Sequence, residues 1–173
     1  VEFEALLPQQ VKGRTEPVEV FHPLELKKSV IRPKTELIGR QEEKALIANA
    51  QALAAGLAAE GMRPVSGGTD THLALIDIQG MSVTGDIAES RCDAARITLN
   101  KNAIPYDPQP PSKGSGIRVG TPAVTTQGMT EPDMAEIASL IGRAIRDSDG
   151  ANSAEIADQV GDLVTRHPAY PRG

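Results

Sequence analysis

Arg118 lies in Ser115-Gly-Ile-Arg-Val-Gly-Thr-Pro122, between two β-branched residues and among glycines. A guanidinium is costly to bury there without an anion, and its planar fork is the side chain best matched to a two-pronged grip on a carboxylate. Two plainer outcomes stand beside that reading: an internal salt bridge, or an exposed place on a sheet edge. The preceding stretch carries Asn100, Asn102 and Asp107 among Pro105, Pro108, Pro110 and Pro111, so its backbone is stiff while polar groups stay available. A rigid connector is the plain alternative. Gly67 and Gly68 invite a phosphate-loop reading. A phosphate loop, however, feeds a helix N-terminus, whereas these glycines lead into Leu73-Ala-Leu-Ile-Asp-Ile78, so a turn entering a strand is expected. Ser66, Asp70 and His72 have the residue types of a hydrolase triad but no nucleophile elbow. Asp77 is either a buried functional carboxylate or, the preferred reading, an outward-facing strand residue. Cys92 is the one cysteine, and His22, His72 and His167 lack ligand spacing, so neither an internal disulfide nor a metal site is expected.

Several elements must position these groups. Glu42 to Glu60 is rich in strong helix formers, with Leu46, Ala50, Leu53 and Leu57 at helical spacing, and Gly61 with Pro64 gives a stop. The run from His72 to Ile78 predicts a strand, and Asp86 to Ala95 a second helix. Ile97 to Leu99 and Ile117 to Val119 read as short strands on either side of the proline-rich stretch. Thr130-Glu-Pro-Asp133 resembles a capping box, and Met134, Ile137, Ala138, Ile141 and Ile145 form one apolar face behind it. A last helix is expected from Ser153 to about Val164. Val18 to Leu24 alternates like a short strand, and Glu25 to Lys44 reads as a linker. The order predicts an α/β fold, a small two-layer sandwich with helices over one sheet face, preceded by a strand and linker segment. The expected division is 1–44 and 45–173.

Composition narrows the class. The chain has 173 residues, 39% hydrophobic, enough for one ordinary domain with an accessory segment. It has two Phe, two Tyr and no Trp, so the core must be aliphatic and stacking surfaces for single-stranded nucleic acid are scarce. The net charge of −5 also argues against a phosphate-backbone partner. Residues 1 to 44 carry eight basic and eight acidic side chains, so all the net negative charge lies in the remainder. No apolar run approaches the roughly 20 residues that span a bilayer, so neither membrane nor nucleic acid is expected as a partner, and a cytoplasmic location fits the single thiol.

Four blocks then resemble a known family: VSGGTDTHLALIDI (65–78), TGDIAE (84–89), ITLNKNAIPYDP (97–108) and SGIRVGTPAVTTQG (115–128). In this order they are similar to the C-terminal part of serine hydroxymethyltransferase, over about residues 48–173. The resemblance implies the small C-terminal domain of fold-type I pyridoxal-phosphate enzymes. The implied reaction converts serine and tetrahydrofolate to glycine and methylenetetrahydrofolate, in a homo-oligomer. By position, Arg118 falls on the residue that grips the amino-acid carboxylate, Asn102 on a folate-contacting asparagine, and Pro110, Pro111 and Ser112 on a loop that contacts folate. Ser112 departs from a usually larger apolar residue, and Lys113 and Gly114 replace β-branched ones. No catalytic residue is implied here, because the TTTHK-like motif carrying the Schiff-base lysine does not occur, and Lys101 belongs to the ordinary NKN element. The expectation is a truncated, fused domain, inactive alone, to which pyridoxal phosphate does not bind by itself. The alternative is a non-catalytic partner or dimerisation module for a full-length paralogue. Residues 1–47 resemble the junction of a class III nucleotide cyclase domain and an AAA-type ATPase, without cyclase metal carboxylates or a Walker A sequence, which leaves a relic of a cyclase-linked regulator as a further possibility.

Overall fold

The computed structural model describes residues 2–5, 7–8, 16–19, 21–25 and 40–169. The chain divides into two units, Val1–Gly39 and Arg40–Gly173. In the first, β1 (Glu2–Ala5) pairs antiparallel with β2 (Phe21–Glu25), Glu4 opposite His22. The alternating Val18–Leu24 segment thus contributes most of β2, whereas β1, although Glu2-Phe-Glu-Ala5 also alternates, was not marked as a strand, its four residues being few for a pattern. Residues 26–39, most of the expected linker, lie outside the described residues.

The second unit opens with α1 (Gln41–Ala59), whose Glu42 and Glu43 suit the positive end of the helix and whose Ala50, Leu53, Ala54 and Leu57 are buried. Gly61, at φ +90°, turns the chain out of the helix. There follow β3 (Arg63–Pro64), β4 (Leu73–Asp77), a single 3₁₀ turn, α2 (Gly85–Ala94), β5 (Asn100–Asn102) and β6 (Gly116–Gly120). Three helices complete the unit: α3 (Pro122–Thr126), α4 (Glu131–Arg146) and α5 (Ser153–Arg166). The sheet runs β3-β4-β6-β5 and is antiparallel throughout.

Period-two alternation gives this sheet two unlike faces. Ala74 pairs with Val119 and Ile76 with Ile117, and all four pack into one buried cluster with Leu53 and Leu57 of α1, Ala88 and Cys92 of α2, and Met134, Ile141 and Ile145 of α4. The other face carries Leu75, Arg118 and Asn100 side by side. The structure is therefore the α/β two-layer sandwich that the pattern predicts.

The capping box at α4 is present: the Thr130 backbone N–H donates to Asp133 Oδ2 at 2.7 Å, and the Thr130 hydroxyl lies 3.0 Å from the same oxygen. Helices α1 and α4 cross closely, since a Cβ built on Gly56 would stand 2.7 Å from Ala138 Cβ. Ile97–Leu99 is not a strand. The Ile97 N–H returns to the Cys92 carbonyl at the end of α2 and Leu99 is buried in the core, so pairing with β6 begins only at Asn100. Helix α3 was not foreseen, because five residues are too few to show a helical period. Among the described residues no helix is long and apolar enough to cross a membrane.

Candidate functional site

Arg118 sits mid-way along β6, a central strand, with Leu75 opposite on one side and Asn100 on the other. Ile117 and Val119 turn into the core, and Arg118 consequently faces away from it and is exposed. Both plain outcomes are corrected: the strand is not an edge, and Arg118 forms no ion pair among the described residues. The burial argument also fails, because alternation carries the guanidinium away from its apolar neighbours.

Asn102 lies opposite Gly116, two residues along the same face from Asn100, and its side-chain N–H donates to the Ala103 carbonyl at 2.6 Å. Pro110, Pro111 and Ser112 are exposed in the connection between β5 and β6. The Pro110 carbonyl accepts from Lys113 N–H at 2.9 Å and Gly114 N–H at 3.0 Å, so the three residues form the outside of a closed turn. Gly114, at φ +63°, completes that turn, and a Cβ there would meet the Asn102 carbonyl oxygen at 2.7 Å. The departure at this position is thus matched by a backbone only glycine accommodates.

The group that fixes this loop is Asp107. One carboxylate oxygen accepts from the Ile104 N–H at 3.0 Å and the Ser115 N–H at 2.8 Å; the other accepts from the Gln109 N–H at 2.8 Å and the Ser115 hydroxyl at 2.6 Å. Desolvation pushes this carboxyl up, but the Ser115 hydroxyl and the three backbone N–H groups outweigh it and hold the pKa at about 2. An aspartate two residues before Gln109 in an Asp-Pro sequence carries the signal of such a turn, though its reach to Ser115 is tertiary.

Lys101 pairs across from Ile117, on the face opposite Arg118, with its ammonium 3.2 Å from Glu89 and its backbone N–H donating to the same carboxylate at 3.1 Å. The Lys101 backbone N–H, followed by its ammonium, holds the Glu89 carboxyl below its ordinary range. No lysine shares the strand face of Arg118. The strand face around Arg118 therefore does not fit pyridoxal phosphate, whose chemistry requires an amine placed to form an imine.

The remaining candidates resolve simply. Asp77 lies on the outer face of β4, as expected from alternation, but is buried there. Its carboxylate lies 2.6 Å from the Arg63 guanidinium and accepts the Gln79 N–H at 2.8 Å, so the pair ties the start of β3 to the end of β4. Ser66 donates to the Gly68 carbonyl at 2.6 Å, Asp70 and His72 are exposed, and no hydrogen bond among the described residues links the three. Gly67 and Gly68 belong to the turn from β3 to β4, where Gly67 N–H reaches the Pro64 carbonyl at 3.0 Å. Cys92 is buried, and burial, with the nearby Asp93 charge, pushes its thiol up to about 12. His167 stands 3.2 Å from Asp133, and no group of three possible metal ligands occurs among the described residues.

Beside Arg118 opens a cavity of about 700 Å³, walled by α1, α4, α5 and the connection from α2 to β5. Its polar lining includes Asn100, Arg96 and Gln127. Neither Arg96 nor Gln127 was marked by sequence reasoning, because each comes from a connection or short helix whose place depends on tertiary packing.

Residues 28–141 match the family model described as serine hydroxymethyltransferase. A serine hydroxymethyltransferase of Myxococcus xanthus (strain DK1622) is 46% identical over 144 residues, which cover 83% of this chain and 34% of that protein. The chain thus spans about a third of the length of the curated relative it matches. The family match begins inside the stretch read as a linker.

Proposed function

Because this chain belongs to the serine hydroxymethyltransferase family, we propose that its second unit is the substrate-facing C-terminal domain of such an enzyme, with Arg118 gripping the amino-acid carboxylate. The observation that carries this reading is the Arg118 guanidinium, unpaired among the described residues on the sheet face away from the helices. A guanidinium so placed keeps its donors free for both carboxylate oxygens, and the strand on each side fixes the direction of approach.

Asn102 shares that face, and the turn from Pro110 to Ser112 is held by Asp107, which supports their reading as folate contacts. Ser112 offers less apolar area than the larger residue usual in the family, so weaker folate binding is expected. Pyridoxal phosphate supplies the electron sink of the family's reaction where it is bound. No lysine lies on the strand face of Arg118, so the part we assign to this chain is to bind and orient amino acid and folate. A second reading, as a partner of a full-length enzyme or of another copy, is favoured by exposed Leu73 and half-buried Leu75 on the Arg118 face. The cyclase–ATPase resemblance of residues 1–47 stays a separate proposal, tested by whether such reading frames flank this one.

Exchanging the part of the Myxococcus xanthus enzyme that aligns with residues 48–173 for those residues gives a direct test. The chimera is expected to transfer the hydroxymethyl group of serine. Arg118→Ala in it should lower kcat/KM for serine by about a hundredfold or more, the cost of leaving a carboxylate without its charged partner. Retention of activity within about twofold would remove Arg118 from the site. The isolated chain, supplied with pyridoxal phosphate and tetrahydrofolate, should give no turnover.

A further inference from the structure

Arg118 is the one long side chain on its face of β6, because its same-face neighbours along the strand are Gly116 and Gly120. Neither glycine leaves an empty place. A Cβ built on Gly116 would stand 2.6 Å from Ile104 Cγ2, and one built on Gly120 would stand 2.6 Å from Leu73 Cδ2. Ile104 and Leu73 therefore lie over the strand, one before and one after Arg118. Leu73 pairs with Gly120 across β4, Leu75 with Arg118 itself, and Asn100 with Arg118 on the β5 side. The stem of Arg118 thus rises between apolar neighbours on three sides, against which its methylenes lie while the charged end stays in water. The two covers are held differently. Ile104 is buried, and its N–H donates to Asp107. Leu73 is 39% exposed, and the missing side chain at Gly120 is what lets it lean across. Apart from Leu73, the Cβ built on Gly120 meets nothing nearer than the His72 carbonyl oxygen at 3.4 Å, and the φ of Gly120 lies outside the left-handed region. The strand accepts alanine there; the seated Leu73 does not.

We propose that Leu73 is a positioning residue for Arg118: leaning over Gly120, it closes the side on which the arginine stem would otherwise fold down along β6, and so keeps the guanidinium raised to meet a carboxylate. The inference rests on the reading of Arg118 as the carboxylate grip and adds how that grip is aimed. An arginine whose rotamers are already restricted loses less freedom when it takes a ligand. Removing the restraint therefore weakens binding of the amino acid and leaves the chemical step alone.

In the full chain, nitrogen-15 relaxation of the Arg118 Nε–H should give an order parameter above roughly 0.6, the level below which a group counts as flexible. Leu73→Ala should bring it below that level, and Leu73→Met, of similar volume, should restore it. Gly120→Ala, whose added methyl meets Leu73, should lower it as Leu73→Ala does. In the Leu73→Ala background Gly120→Ala should add nothing, since the side chain it displaces is gone. Far-UV circular dichroism checks that each variant folds, and Gly120→Ala carries the test if Leu73→Ala does not. In the chimera, Leu73→Ala should raise KM for serine about fivefold, with kcat and KM for tetrahydrofolate within about twofold; a general loss of structure moves all three. A mobile Arg118 in the parent chain, an order parameter unchanged in a folded variant, or additive effects in the double variant would overturn the proposal. An active chimera in which Leu73→Ala leaves KM for serine unchanged would overturn this role alone and keep Arg118 as the grip. A parent chimera without activity would overturn the reading of Arg118 and this role with it.

Discussion

Asp107 holds both ends of the connection between β5 and β6 by accepting hydrogen bonds from Ile104, Gln109 and Ser115. Its carboxyl is drawn down to about 2 from an ordinary 3.8, so the folded state favours the charged form. The stabilisation is complete above the ordinary value and is lost as pH falls through about 2. Asp107→Asn keeps one carbonyl acceptor but loses the charge, and should flatten the fall of urea midpoint with pH between about 4 and 2 relative to the parent chain. Identical profiles would show that the carboxylate does not hold the loop. The types of Asp107 and Arg118 were readable as chemistry, but their surroundings were not. Apolar flanks made Arg118 look buried, whereas strand alternation sends it outward; Asp77, read as outward, keeps that face but is buried there and paired with Arg63, from a strand too short to predict.

Helices α1 and α5 each contain a glycine, and packing gives the two opposite meanings. Gly161 in α5 has nothing within 4 Å of a built Cβ, so Gly161→Ala should raise stability by about 0.5–1 kcal/mol through helix propensity alone. Gly56 in α1 faces Ala138 Cβ of α4 at 2.7 Å, and a methyl group on Ala138 has no rotamer by which to withdraw. There the added methyl must force the helices apart, and Gly56→Ala should cost about 1 kcal/mol or more despite the same propensity gain. Urea midpoints at unchanged slope measure both; equal signs would mean that the close crossing does not constrain the pair. Helical spacing and caps announced α1, α4 and α5 because those signals are local. The place of β5 was missed by three residues, since Ile97 and Leu99 are drawn to the end of α2 and the core before the strand pairs.

The two-layer architecture of the second unit was readable from the order of helices and strands, and the four ordered blocks carried the family. The cavity was not, because Arg96, Gln127 and Val160 converge only through packing of segments far apart in the chain. Every member of the buried cluster, from Leu53 to Leu163, belongs to the second unit, and none is aromatic. Such a cluster gains its stability from many small aliphatic contacts, which are lost together once helices separate from the sheet. Residues 40–173 expressed alone should therefore unfold in one cooperative step, with a urea slope of about 1–2 kcal/mol per molar. With no Trp in the chain and Tyr106 fully exposed, aromatic signals report little on this core, so dispersed methyl resonances and far-UV circular dichroism are the suitable probes. Collapsed methyl dispersion, or a gradual loss of helix without a native baseline, would show that the aliphatic cluster does not fix a unique packing, and the orientation assigned to Arg118 would lose its support.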